Sequence, residues 1–482
     1  MKRIALILAI LLALTSLTAC AEGPLDAFFE AGHAVLVETE TAGFDLAACK
    51  IVMPSDEYWA GIGTPKPSED EVNSMIAAAL AEASVFSVSP AGVSALITVG
   101  GVNGTVLALN GDSLAVLFPS ETRGVADKYG NMRKLFTQGL RACLGDEGVV
   151  WSPDGRYAVI PNYRRTVINM QLIVDPMIID TVTGEVFLTA TYNDRIIPKE
   201  GEEPGGALTA ACFSRDGRYL YYTFIGSLGQ GRYSLLRCEL ATGSTELLLS
   251  SDDRIYYPRL SELRDGTFMI LSDERDATRP MGVARLTPGG FLSGLTGGGW
   301  RVSTASFDLP LSLWRVTQLD YSADSGWAFC LGSADSMGYA LQRFRPDEGC
   351  AGIGQRWMLR ADTHGFIPLE GDPTAVLSSM FSDGHMKPDA EYLMMLAAQL
   401  SPDGQYALVQ YREEINGSIT FPLLLVRLED MKAVPVTGLS AELPPYRTAL
   451  TRKYAPGMEW NCGQILLMVD QDVRSYRFDT GN

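Results

Sequence analysis

The stretch VVWSPDGRYAVI, residues 149–160, decides the fold of this chain. A β-rich run ends at Ser-Pro-Asp-Gly and restarts at once as a second β-rich run. Proline sets φ for the second turn residue, aspartate tolerates the third position, and glycine takes the left-handed conformation that closes a tight hairpin. The stretch therefore predicts a β-hairpin.

The same hairpin recurs at residues 212–224 and 399–411, and each copy is followed by a second hairpin. The repeating unit is therefore four antiparallel strands. Weaker copies occur at residues 86–118, 259–292, 319–349 and 458–482. The glycines of the first hairpins, spaced 49 to 78 residues apart, are Gly92, Gly155, Gly217, Gly266, Gly326, Gly404 and Gly463.

Seven copies of a four-stranded unit at a rough period predict an all-β fold, a seven-bladed β-propeller of four-stranded antiparallel blades. The weaker copies are assigned mainly by spacing, so the expected range is six to eight blades. The spacing exceeds the ~40–45 residues of a minimal blade, which predicts long connecting loops.

The three strong copies resemble the repeat of TolB-like propellers, a family related in shape to WD-repeat proteins. The resemblance rests on residues 151–156, 213–218 and 400–405 and covers roughly residues 86–482. It implies the fold rather than an activity, because propellers have many unrelated functions. The turn positions expected to shape the blades are Ser152, Asp154, Gly155, Asp216, Gly217, Ser401, Asp403 and Gly404.

The last copy has three strands before the sequence ends. A propeller needs a fourth strand there, because an open edge would pair with other chains. The strand-like residues 33–40 are predicted to supply it, and residues 48–54 are the alternative.

The N-terminus has a short basic start, an apolar run over residues 4–14 and the sequence Leu-Thr-Ala-Cys ending at Cys20. The run is too short to span a bilayer. Leu17–Cys20 resembles the lipobox of bacterial lipoproteins, in which the chain is cut before the cysteine and the cysteine is acylated. The predicted organisation is a lipoprotein signal peptide over 1–19, an N-terminal segment with the closing strand and a helix over 20–85, and the propeller over 86–482.

A few helical inserts are predicted outside the blades. Ser68 and Glu71 have the spacing of a capping box, so a helix is expected over residues 68–83. Residues 125–143 and 372–381 are expected to form two more. These helices would pack on the propeller rim or cover one of its faces.

The net charge of −18 argues against nucleic acid as a partner. No zinc-type spacing occurs among the eight cysteines. The residues expected to be small buried hydrophobes are Cys212, Cys238, Cys330 and Cys462, with one or two disulfides left open in an oxidising compartment.

The sequence predicts no catalytic residue, metal site or cofactor. It has three histidines and neither a Gly-x-Ser-x-Gly elbow nor a phosphate-binding glycine loop. The acidic residues 252–254 and 272–276 could bind a cation or sugar, although solvated loops are expected. Tyr163, Tyr192 and Trp300 could stack on a ligand, although rim packing is expected.

We therefore expect an extracytoplasmic lipoprotein, held by its lipid to the cell membrane or, in a cell with two membranes, to the outer one. Its propeller would be a non-catalytic binding module for an envelope protein or polymer, and would show an apolar or aromatic patch on one face. The alternative is a propeller-type enzyme, a lactonase, glycosidase or lyase, with acids clustered at one mouth of the channel.

Overall fold

The structure is a computed structural model. It describes residues 25–39, 44–61, 65–79, 83–99, 105–116, 124–126, 132–134, 149–168, 171–188, 206–226, 233–251, 259–263, 266, 268–272, 282–288, 300–306, 315–322, 326–334, 338–345, 356–360, 363–368, 392–439, 443, 458–469 and 472–481. All structural statements below concern these residues.

The N-terminal segment contains α1 (Asp26–Ala31), β1 (Ala34–Glu38), a 3₁₀ turn (Leu46–Ala48), β2 (Lys50–Val52), α2 (Asp56–Gly61) and α3 (Glu69–Ala79). The predicted capping box is present at α3. The backbone N–H of Ser68 donates to the Glu71 carboxylate at 2.8 Å, and the N–H of Glu71 lies 3.3 Å from Ser68 Oγ. No described helix is both long and apolar enough to cross a membrane.

The remaining strands form four-stranded antiparallel units, here called blades 1 to 7. Blade 1 is β3 (Ala83–Val88), β4 (Ser94–Val99), β5 (Thr105–Asn110) and β6 (Ser113–Val116), and is followed by a small hairpin of β7 (Gly124–Ala126) and β8 (Met132–Lys134). Blade 2 is β9 (Val150–Trp151), β10 (Tyr157–Ile168), β11 (Gln171–Asp180) and β12 (Val186–Leu188). Blade 3 is β13 (Gly206–Phe213), β14 (Tyr219–Gly226), β15 (Tyr233–Glu239) and β16 (Thr245–Ser251).

Blades 4 to 6 follow the same order. Blade 4 is β17 (Arg259–Glu262), β18 (Phe268–Ser272), β19 (Gly282–Pro288) and β20 (Trp300–Ser306). Blade 5 is β21 (Arg315–Tyr321), β22 (Ala328–Ala334), β23 (Gly338–Phe344) and β24 (Arg356–Arg360), with β25 (Phe366–Pro368) paired to β24. Blade 6 is β26 (Tyr392–Leu400), β27 (Tyr406–Ile415), β29 (Leu423–Arg427) and β30 (Lys432–Thr437), with β28 (Ser418–Thr420) paired to β27.

Blade 7 joins the two ends of the chain. It contains β31 (Met458–Asn461), β32 (Gln464–Val469) and β33 (Asp472–Phe478), and β1 pairs antiparallel with β33 as the fourth strand. β1 also makes a short parallel pairing with β30 of blade 6. β1 therefore takes the place expected of residues 33–40, whereas the alternative segment contains β2, which pairs with β6 as a fifth strand of blade 1.

The first strands of the blades lie side by side around an axis, with β9 against β13, β13 against β17, and β26 against both β21 and β31. This arrangement, with the closure through β1, confirms the predicted all-β propeller of four-stranded blades with few helices. The sheets are joined in places, since β11 pairs with β13 and β24 pairs with β26. The count of seven for the whole ring stays a prediction.

Apolar side chains are buried between the blades. One buried cluster joins α1, β1, blade 6 and blade 7, and includes Leu36, Leu408 and Trp460. A second joins α3 and blade 1 to Leu466 of blade 7. Burial is therefore continuous across the place where the chain closes on itself.

The helix predicted over residues 125–143 is wrong where the structure describes it, because β7 and β8 are paired strands. Gly130 and Asn131 lie between them in the sequence, and both residue types favour turns over helix interiors. The helix predicted over residues 68–83 is shorter than expected, since β3 begins at Ala83. The third predicted helix, residues 372–381, lies outside the described residues.

Candidate functional site

The turns between the first and second strands share one hydrogen-bonded geometry in blades 2, 3 and 6. In blade 2 the Ser152 hydroxyl donates to Asp154 at 2.6 Å and accepts from the backbone N–H of Tyr157 at 2.8 Å. Asp154 also accepts from the backbone N–H of Arg156 at 3.1 Å. The residues of blades 3 and 6 that repeat these contacts are Ser214, Asp216, Ser401 and Asp403.

We call the end of the blades that carries these turns the turn end, and the opposite end the hairpin end. Turns of neighbouring blades touch there. A Cβ on Gly155 of blade 2 would lie 2.8 Å from Ser89 Oγ in blade 1. Asn110 of blade 1 also donates to Thr181 of blade 2 at 2.9 Å. The serine and aspartate side chains thus bond within their own turns, Gly155 packs against the next blade, and Gly217 and Gly404 close the equivalent turns with positive φ.

A polar cluster lies where the first strands of blades 7, 1 and 2 meet. We name it the Glu459 cluster, made of Glu459, Asn461, Ser87, Val88 and Trp151. The Ser87 hydroxyl lies 3.0 and 3.1 Å from the two carboxylate oxygens of Glu459. The Val88 backbone N–H and the Asn461 amide donate to the same carboxylate at 2.9 and 2.8 Å. The Trp151 indole N–H donates to Ser87 Oγ at 2.8 Å, so blade 2 is connected as well.

The carboxyl group of Glu459 is enclosed by protein, although the residue keeps a partly exposed edge. Burial raises its pKa to about 7, against the lowering effect of the hydrogen bonds from Val88, Ser87 and Asn461. Glu459 therefore exchanges a proton near neutral pH.

A carboxyl group with such a pKa could serve as a general acid or base if a substrate reached it. The Glu459 carboxylate instead contacts Ser87 and Val88 of blade 1 and Asn461 of its own blade. These contacts connect blade 7 to blade 1. Sequence reasoning missed Glu459, because it lies in one of the weaker copies of the repeat and no local motif distinguishes it from the other acids of the chain. Its partners Ser87 and Val88 lie about 370 positions away in the sequence.

The hairpin end carries strand extensions beyond the blade bodies. β10 and β11 stay paired out to Ile168 opposite Gln171. In blade 6, β27 and β28 form a projecting hairpin over residues 413–420, here called the tip hairpin. Its two large apolar residues, Ile415 and Ile419, are 54% and 44% exposed. The tip hairpin is attached at its base, where His364 Nε2 lies 2.9 Å from Glu413.

The cysteines divide into two groups. Cys238 is fully buried and Cys212 is partly buried, and neither forms a disulfide, as expected of small hydrophobes. Burial raises the pKa of the Cys238 thiol. Cys462 is only partly buried and forms a disulfide, the alternative left open for these cysteines. Its partner and the Cys330 side chain are not among the described side chains.

Several predicted residues fall outside the description. They include Cys20, the acidic residues 252–254, Tyr192, most of residues 272–276, and the side chains of Tyr163 and Trp300. Within the described ranges, no group of three or more His, Cys, Asp or Glu side chains is placed to hold a metal ion.

No protein-family model matches the sequence, and no curated protein matches it. Solved structures do match. An oligogalacturonate lyase from Vibrio parahaemolyticus is 11% identical, with a TM-score of 0.45 over 82% of this chain and 88% of that one. A periplasmic gluconolactonase from Pseudomonas aeruginosa is 14% identical, with a TM-score of 0.40 over 82% and 91%.

TolB from Acinetobacter baumannii also matches, at 13% identity and a TM-score of 0.34 over 73% of this chain and 63% of that one. TolB proteins and propeller domains are thus among the similar structures, in line with the resemblance of the repeat. At these identities and TM-scores the similar structures do not indicate an activity for this chain.

Proposed function

We propose that this chain is an extracytoplasmic lipoprotein, anchored through Cys20, whose propeller is a non-catalytic binding module for an envelope protein or polymer. The observation that carries the proposal is the tip hairpin. It projects from blade 6 and holds Ile415 and Ile419 more exposed than other large apolar side chains of blade 6. Exposed apolar groups on a projecting element favour association with another macromolecule.

Two further features support the compartment. The Leu-Thr-Ala-Cys sequence after an apolar run is typical of a lipid attachment site. The disulfide at Cys462 fits an oxidising environment, since disulfides are rare in the cytosol.

The test is crosslinking in intact cells followed by purification of the tagged chain from the membrane fraction. The double variant Ile415→Ser, Ile419→Ser should lose a stoichiometric envelope partner, because it removes the exposed apolar groups without touching the core. Val182→Ser is the matched control, since Val182 is 44% exposed at the turn end of blade 2. Retention of the partner by the double variant, or its loss with Val182→Ser, would count against the tip hairpin.

A second candidate function rests on Glu459. Its pKa of about 7 and its place in β31, the first strand of blade 7, would suit an acid–base group of a propeller enzyme. Turnover of lactones and oligosaccharides by the wild type, reduced at least ~100-fold in Glu459→Gln, would favour this candidate. Turnover that the variant leaves unchanged would exclude Glu459 from the reaction.

A further inference from the structure

The beginning of the described chain is fixed tightly to the turn end of the propeller. Leu25 is 1% exposed and belongs to the buried cluster shared by blades 6 and 7. Phe28 and Phe29 of α1 are buried beside it, and the Phe29 ring stacks on Tyr406 with centroids 6.1 Å apart. Burial of such side chains contributes roughly 1.5–3 kcal/mol each as an upper value, so α1 is firmly attached.

Polar contacts show which end of the blade α1 occupies. Asp26 accepts hydrogen bonds from the Tyr406 hydroxyl and the Arg427 guanidinium, both at 3.1 Å. Lys432 donates to the Phe29 carbonyl at 3.0 Å. Tyr406 begins β27, Arg427 ends β29 and Lys432 begins β30, so all three lie at the turn end of blade 6.

The distance from the lipid to this surface is limited by the sequence. Five peptide units separate Cys20 from Leu25. A fully extended segment of that length spans at most about 18 Å. The ten residues of β27, from the turn end to the tip hairpin, rise about 30 Å. The lipid can therefore approach the turn end of blade 6 far more closely than the tip hairpin.

We infer that the turn end of blades 6 and 7 faces the headgroup surface of the membrane that holds the lipid, and that the tip hairpin points away from it. The inference rests on the proposed lipid anchor. The short segment between Cys20 and Leu25, here called the tether, sets this orientation. Charge does not set it, because the strongly acidic chain is not attracted to anionic headgroups. This orientation leaves Ile415 and Ile419 directed toward partners in the space beyond the membrane.

The test uses the full lipidated chain in vesicles of phosphatidylethanolamine and phosphatidylglycerol. A benzophenone amino acid replaces Glu429 at the turn end or, as the matched probe in the same blade, Ser418 in the tip hairpin; both positions are exposed. After irradiation we expect on the order of tenfold more lipid adduct at 429 than at 418, given the reach of the tether. Equal adducts, an excess at 418 or no adduct at either position would overturn the inference.

Two controls separate this inference from the anchor itself. Labelling of Cys20 by a palmitate analogue reports the anchor alone, so absent labelling refutes the proposed function, whereas labelling without a bias toward 429 refutes only the orientation. A Gly/Ser insert of about 20 residues after Ala21, reaching ~25 Å on average, should abolish the bias while labelling persists. A bias that survives the insert would mean that the tether does not set the orientation.

Discussion

The turn of blade 2 and the seam where the ring closes hold the chain together in different ways. In the turn, Ser152 and Asp154 bond to groups at most five residues away, and the pattern recurs in blades 3 and 6. In the seam, β1 pairs with β33 at the outside, while Glu459 reaches Ser87 and Val88 at the inside. Local contacts that recur from blade to blade therefore shape the blades, whereas contacts between distant residues that occur once in the chain close the ring.

The largest expected effect comes from Gly438→Ala, which disturbs the outer part of the seam, where β1 pairs with β33. Gly438 has φ of 88°, and an added Cβ would lie 2.1 Å from the carbonyl oxygen of Leu36 in β1. Since that oxygen belongs to backbone, β1 must shift. We expect a loss of at least about 3 kcal/mol in the free energy of unfolding, measured by urea denaturation.

Gly417→Ala is the matched control for this change. Gly417, in the tip hairpin, likewise has a positive φ, of 78°, but nothing lies within 4 Å of an added Cβ. The control should lose only about 1 kcal/mol, from backbone strain. Similar losses in the two variants would show that contact with β1 contributes little to closure.

The next effect is a pH dependence at the inner part of the seam. Glu459 has a pKa of about 7 in the folded protein, against 4.5 as its ordinary value. The folded state thus holds this proton more tightly, so the stabilisation is complete below about pH 4.5 and is lost as the pH rises through about 7. The full loss is at most about 3 kcal/mol.

Glu459→Gln isolates this proton from those of the other acids. The uncharged amide can keep acceptor contacts with Val88 and Asn461, so the variant should gain stability relative to the wild type as the pH rises between about 4.5 and 7. The measurement is urea unfolding of both proteins across that range. A difference that does not change with pH would contradict a protonated Glu459 in the folded seam.

A smaller effect is expected from the repeated turns. Asp403→Ala removes the acceptor of the Ser401 hydroxyl and of the Gln405 backbone N–H. Because the turn is exposed and its backbone contacts remain, the loss should be about 1 kcal/mol by thermal or urea unfolding. Blade 1 has Ala91 at the corresponding place and still forms the hydrogen bond from Gly92 N–H to Ser89 O. A loss as large as that of Gly438→Ala would remove the contrast between turns and seam.

The smallest effect is expected at the surface contact of α1. Asp26→Ala removes an ion pair with Arg427 whose carboxylate side chain is 58% exposed. Exposed pairs contribute about 0–1 kcal/mol, so unfolding should hardly change. A loss well above that range would show that Asp26 helps to hold α1 on blade 6.

The comparison also explains what the sequence could predict. The four-stranded blades follow from turn chemistry and strand patterns, which are local, and the position of β1 follows from the need to close the ring. The Glu459 cluster could not be predicted, because Glu459 and Ser87 are brought together only by the closed ring. The β7–β8 hairpin was predicted as a helix because its helix-forming residues outnumber the turn formers Gly130 and Asn131.

The pairing of β1 with β33 has a consequence for the order in which the chain folds. The partners Leu36 and Phe478 are about 440 residues apart, so β1 cannot pair with β33 until the chain between them has been synthesised. Until then β33 and β1 both have open edges, and pairing over so long a separation is slow. If the chain is exported as proposed, its ring can therefore close only after β33 has crossed the membrane.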